Sequence, residues 1–204
     1  FSQGGASTMA VGEILQRGHR GWRLAALAPV AGPYDPLGGL PVLLDPAYTD
    51  PAKATVYAGY LLTAWNPLYR LYDDPAEVFL PAYAPIVESL FDGTHSTVEV
   101  INALPGTPEE LLRPQTLALL TQPTGRLAAA LRENETCRWA PTVPTRLYAG
   151  RADRDVPFSQ TEFCLAQLRD RGGRADLVDL GNVDHIGTAL LALPEIRAWF
   201  HTLA

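Results

Sequence analysis

From Thr145 to the end of the chain, two runs of strand length, Thr145–Ala149 and 175–180, alternate with two stretches of helical periodicity, about 159–171 and 188–202. This alternation constrains the fold more than any other feature. Strand, helix and strand with short junctions cannot close as a hairpin. The helix carries the chain back along the sheet, so the strands pair in parallel through a right-handed crossover. Gly150 ends the first strand and Gly172-Gly173 stops the first helix. Near the start of the chain, residues 22–28 form a short apolar run closed by Pro29, which reads as another buried strand. It follows a helix-compatible segment, 4–17, in which Met9, Ile14 and Leu15 can form one apolar face before Gly18. The class is α/β.

Between 36 and 144 the pattern changes. Prolines recur at 36, 41, 46, 51, 67, 75, 81 and 85, then at 105, 108, 114 and 123. Short helical patterns lie between them, at 52–65 and 108–120, and strand-like alternation is scarce. The chain therefore divides into 1–35, with a Gly-rich turn, a helix and a strand; 36–144, a helical cap or lid insertion; and 145–204, with two strand–helix units.

Composition excludes several classes. Hydrophobic residues make up 47% and charged residues 19%, and the net charge of -6 is spread along the chain. No basic stripe suits a nucleic acid or an anionic membrane, and no apolar run approaches the roughly 20 residues of a transmembrane segment. A soluble chain is expected, with no compartment specified beyond secretion or the cell envelope. Cys137 and Cys164 form neither a disulfide framework nor a metal-ligand pattern; one bridge or two core thiols are both open. No metal and no cofactor is expected. Lys53 stands alone beside fifteen arginines, the bias of a GC-rich bacterial genome.

Three positions carry chemistry. Phe1-Ser2-Gln3-Gly4-Gly5 fits the last four positions of G-x-S-x-G. Small neighbours let a serine sit on a strained strand-to-helix turn, with the Gln3 backbone N–H aimed where an oxyanion would form. In Gly150-Arg151-Ala152-Asp153-Arg154-Asp155-Val156-Pro157, a strand end, a glycine turn and an acid place a carboxylate at the C-terminal edge of a sheet. Asp153 is the leading acid; Asp155 suits a helix cap better, and Asp35 also follows a strand. Asp184-His185-Ile186-Gly187 puts a histidine between a strand and the last helix. His19, His95 and His201 lack that context. The order Ser2, Asp153, His185 is that of a nucleophile, an orienting acid and a general base in an open α/β sheet.

These motifs resemble α/β-hydrolase serine esterases and lipases, including the bacterial lipase-like and prolyl-oligopeptidase-like branches. The resemblance implies the C-terminal part of an α/β-hydrolase fold, with 22–28, Thr145–Ala149 and 175–180 as parallel strands six to eight and a cap between six and seven. A missing N-terminal half, with strands one to five, is expected in the full protein. The resemblance also implies hydrolysis of a carboxylic ester, lipid-like or short acyl, through an acyl-enzyme. A serine peptidase on the same fold and a non-catalytic fragment are the alternatives. In the cap, Leu61, Leu62, Trp65, Tyr69, Tyr72, Phe79, Tyr83 and Phe91 could line an acyl pocket, although the cap's own core is the favoured reading for each.

Overall fold

The computed structural model describes residues 1–19 and 21–203. The chain forms two compact units: residues 1–39 with 134–204, and residues 40–133.

The first unit is built on a parallel pair, β1 (Thr145–Ala149) and β2 (Ala175–Asp179), in register from Thr145↔Ala175 to Ala149↔Asp179. The crossover between them is α9 (Phe158–Asp170). Residues 27–31 lie along the other side of β1. Leu27 N–H donates to the Pro144 carbonyl, Arg146 N–H to Leu27, Tyr148 N–H to Pro29 and Ala31 N–H to Tyr148. The expected strand at 22–28 is thus displaced toward the C-terminus and reduced to two parallel bridges, Leu27↔Thr145 and Val30↔Tyr148. Pro29 is the reason. In this register its nitrogen faces the Arg146 carbonyl and has no hydrogen to give, so the ladder is interrupted there. Trp22 lies outside the sheet, 72% exposed, in a tight turn closed by Trp22 N–H to the His19 carbonyl.

Helices cover both faces of this small sheet. On one face, Met9 of α1 (Gln3–Gln16) and Cys164 and Leu168 of α9 pack with Leu27, Tyr34, Trp139, Leu147 and Ala175. On the other, Ala192 and Ile196 of α10 (His185–His201) pack with Val30, Ala31 and Tyr148. Leu147 and Tyr148 point to opposite faces, as successive strand residues must, and both are fully buried. Cys137 and Cys164 are joined, tying the segment before β1 to α9 across 27 residues of sequence. A cross-link closing a loop of that size stabilises by about 3 kcal/mol. Two glutamines add polar ties. Gln16 donates to the Ala140 carbonyl and accepts from Thr142, and Gln160 exchanges two hydrogen bonds with the backbone of Asp35.

Of the face expected of α1, only Met9 is fully buried. Ile14 is 55% exposed, and the buried residues are Gly5, Met9 and Gly12. The helix backbone itself approaches the extended segment. A Cβ on Gly5 would lie 2.7 Å from the Val30 carbonyl oxygen and 2.9 Å from Gly32 Cα, and one on Gly12 would meet the Leu27 side chain.

The second unit is helical. α2 (Pro36–Leu43) leads into it, and α3 (Pro51–Tyr69) is its longest helix, capped by the Asp50 carboxylate on the Lys53 N–H. A single turn at Pro75–Glu77 precedes α4 (Val87–Leu90), α5 (Thr97–Ala103), α6 (Pro108–Leu111), α7 (Pro114–Thr121) and α8 (Gly125–Glu133). The helix expected over 108–120 is two helices. Pro114 cannot continue a helix but suits the first position of one, so Leu112 and Arg113 take extended dihedrals between them. Ser96 and Glu99 form a reciprocal capping box on α5. Of the aromatic and apolar side chains singled out here, Leu62, Tyr72 and Phe79 are core; Leu61, Trp65, Tyr69, Tyr83 and Phe91 are half-buried.

Of the two glycines after Ser2, only Gly5 is required by packing; a Cβ on Gly4 meets nothing within 4 Å. Gly5→Ala is expected to lower unfolding free energy by about 1–3 kcal/mol. Gly4→Ala should leave it unchanged or raise it by up to about 1 kcal/mol. Urea unfolding followed by circular dichroism reads both.

Candidate active site

Three side chains far apart in sequence meet at the C-terminal edge of the first unit's sheet. Ser2 is the cap residue of α1, with φ 57° and ψ -129°. A non-glycine residue is strained there by about 1–3 kcal/mol. The strain is held by donation from Ser2 N–H to the Val30 carbonyl at 2.9 Å and from Gly5 N–H to the Ser2 carbonyl at 2.7 Å. A serine in this position ordinarily caps its own helix with its hydroxyl. Ser2 makes no such bond. Its Oγ instead lies 2.9 Å from His185 Nε2.

Asp153 follows β1 and the Gly150 turn. It is 2% exposed. Oδ1 accepts from the Asp155 N–H at 2.9 Å and the Val156 N–H at 2.8 Å, and Oδ2 lies 2.6 Å from His185 Nδ1. A buried carboxylate needs this satisfaction of both oxygens. The competing acids have other places. Asp155 supplies a backbone donor to Asp153, and Asp35 accepts from the Gly38 N–H at the start of α2.

His185 is the first residue of α10, which begins three residues earlier than its periodicity suggested because Asp184 caps it through the Gly187 N–H. The ring is 9% exposed. As a carboxylate, Asp153 can only accept, so Nδ1 carries the hydrogen and Nε2 turns a lone pair to the serine hydroxyl. Such a chain can take the proton from Ser2 Oγ. Gln3 opens α1, so its N–H belongs to the positive end of the helix dipole. His19 lies in the turn with Trp22, His201 in the last turn of α10, and His95 in the second unit beside Thr94.

The loops that carry Asp153 and His185 are fastened to each other by residues with no sequence signal. Arg151 N–H donates to the Gly181 carbonyl at 2.8 Å and Ala152 N–H to Val183 at 3.1 Å. The Arg151 guanidinium binds the Asp179 carboxylate at 2.7 Å. Gly150 lies so close to the start of α10 that a Cβ there would overlap Thr188 Oγ1 and the Val183 carbonyl oxygen. Asp153, Asp155 and His185 each offer a ligand atom within 4.8 Å of the others. The bonds of Asp153 and His185 to each other, to backbone and to Ser2 engage the atoms a metal would need, so the cluster fits a metal poorly.

No protein-family model and no curated protein matches this sequence. Solved structures do. A protein of Legionella pneumophila described as a candidate hydrolase superposes with a TM-score of 0.88 over 99% of this chain and 54% of its own, at 24% identity. The rice cell wall degrading esterase LipA from Xanthomonas oryzae superposes at 0.79 over 89% of this chain and 50% of its own, at 26% identity. A ligand-bound form of LipA gives 0.81 over 96% and 54%, at 24% identity. This chain spans about half the length of these structures. The fold is α/β, of the α/β-hydrolase type, with a parallel sheet.

Ser2→Gly should relieve the backbone strain and raise unfolding free energy by about 1–2 kcal/mol, whereas Ser2→Ala, with the same strain, should not; thermal unfolding of the two variants separates them. The Gly181 N–H, and after it the Arg151 guanidinium, holds the Asp179 carboxyl below the usual carboxylate range. A depressed folded value gives stability that is present above about pH 4 and lost as pH falls through that value. Asp179→Asn is therefore expected to melt below the wild type near neutrality and to converge with it in acid, once the carboxyl is protonated in both states. Melting curves across that range test the convergence.

Proposed function

We propose that this chain carries the nucleophile, base and acid of a serine hydrolase acting on carboxylic esters, with Ser2, His185 and Asp153 in those roles. The observation that carries the reading is the serine hydroxyl that gives up its helix-capping bond, on a strained backbone, to face an imidazole whose far nitrogen meets a buried carboxylate. A structural serine has no use for that expense of strain.

In this mechanism His185 Nε2 takes the hydroxyl proton as Ser2 Oγ attacks the ester carbonyl carbon. Charge passes to the carbonyl oxygen, which the Gln3 N–H would receive. The tetrahedral species collapses, the C–O bond to the alcohol breaks, and the proton on Nε2 goes to the leaving oxygen. Water then repeats the sequence on the acyl-enzyme: His185 takes its proton, the oxygen attacks the acyl carbon, and the acid departs as Ser2 regains a proton. Asp153 holds the imidazole orientation throughout and stabilises its charged form. The likeness to LipA, an esterase, favours esters over amides. The buried Cys137–Cys164 disulfide favours an oxidising compartment, hence export.

Incubation with a fluorophosphonate probe, read by intact mass, tests the assignment. One adduct is expected on the wild type and none on Ser2→Ala. Asp153→Asn should label on the order of 10⁴-fold more slowly, because the wrong imidazole tautomer is then held. An adduct that survives Ser2→Ala, or a folded wild type that stays unlabelled, sinks the reading. Esters and peptide amides offered to the labelled form's wild type then separate esterase from peptidase.

A further inference from the structure

Phe1 has no role in the scheme above, yet its ring lies against the His185 imidazole, with centroids 4.5 Å apart and planes tilted by 38°. The contact supplies something the hydrogen bonds do not. Hydrogen bonds at the two imidazole nitrogens, here to Asp153 and Ser2, act chiefly in the plane of the ring. They fix the ring along the axis through its two nitrogens and leave tilt about that axis unopposed. A side chain on the imidazole face opposes the tilt. Phe1 is adjacent in the chain to Ser2, and the Gly4 N–H donates to its carbonyl at 3.0 Å. One backbone turn therefore delivers the hydroxyl to Nε2 and an aromatic ring to the face of the same imidazole.

We propose that Phe1 is a positioning residue for His185, holding the imidazole face and favouring the imidazolium that forms when Ser2 gives up its proton. The inference rests on the serine-hydrolase reading. The physical basis is the negative face of an aromatic ring, which packs with a neutral imidazole as an aromatic pair and attracts it once it is charged. The other groups near His185 are Asp153 and Asp155 from the loop after β1, its chain neighbour Asp184, which caps α10, and Ser2 at the start of α1. All are unchanged when only the Phe1 side chain is varied.

The test compares the wild type with Phe1→Leu, which keeps apolar cover without a π face, and Phe1→Tyr, which restores the face. Fluorophosphonate labelling rates are measured against pH. In Phe1→Leu the plateau rate should fall about three-fold and the midpoint of the acid limb should move down by about half a pH unit. Phe1→Tyr should recover both. Nuclear magnetic resonance supplies a readout free of turnover: the ring-current shift on the His185 ring protons should vanish in Phe1→Leu and persist in Phe1→Tyr, while the amide spectrum reports that each variant is folded. A plateau that falls in Phe1→Leu without movement of the midpoint, or a Phe1→Tyr that behaves as Phe1→Leu, overturns the proposal. So does a Phe1→Leu equal to wild type. An unlabelled wild type that still shows the ring-current shift refutes the hydrolase reading and supports the ring contact by itself.

Discussion

Two backbones meet without side chains between them where α1 begins: Gly5 rests on the Val30 carbonyl and Gly32, and Ser2 N–H donates to the same Val30. This contact fixes the start of α1 on the extended segment at 27–31. That segment pairs with β1, and β1 pairs with β2. The strand ends then present Asp153 and His185 at one edge. The order of dependence matters. A Cβ at Gly5 would push the helix away and carry Ser2 with it, so the strained turn depends on this backbone contact as well as on its hydrogen bonds. The strain at Ser2 persists because the packing around it over-determines the backbone.

The electrostatics follow from how Asp153 is buried. Burial of a carboxylate is costly unless it is fully hydrogen-bonded. Here one oxygen accepts from two backbone N–H groups of its own loop, and the other meets Nδ1 of His185. The loop thereby selects the imidazole tautomer that leaves Nε2 open to the serine. The Arg151–Asp179 pair and the two backbone bonds between the loops keep Asp153 and His185 in one frame. The Phe1 ring adds a contact to the imidazole, with centroids 4.5 Å apart.

Much of this was legible in the sequence where local chemistry decides. β1 is read from a strand-length run ending at Gly150, and β2 from its alternation of apolar and polar residues. The Pro-punctuated stretch reads as short helices because proline ends one helix and starts the next, although the break at Pro114 was missed by a period that continues across it. Elsewhere the sequence misleads. Residues 22–28 look like a strand by hydrophobicity, but pairing is decided by which residues can donate, and Pro29 cannot. Ile14 looks like core by periodicity, but Gly5 and Gly12 let the helix backbone itself take the buried face.

The sequence by itself determined the α/β class, the helical character of 36–144 and the three candidate positions Ser2, Asp153 and His185, because each is read from neighbours within a few positions. Only the tertiary structure decided that Asp153 is hydrogen-bonded to His185 Nδ1, that Cys137 and Cys164 are joined, and that Phe1 lies against the imidazole. Those outcomes depend on directions of bonds and distances between segments that lie up to 183 residues apart. Such geometry is set by the packing of helices on the sheet, and no local pattern encodes it.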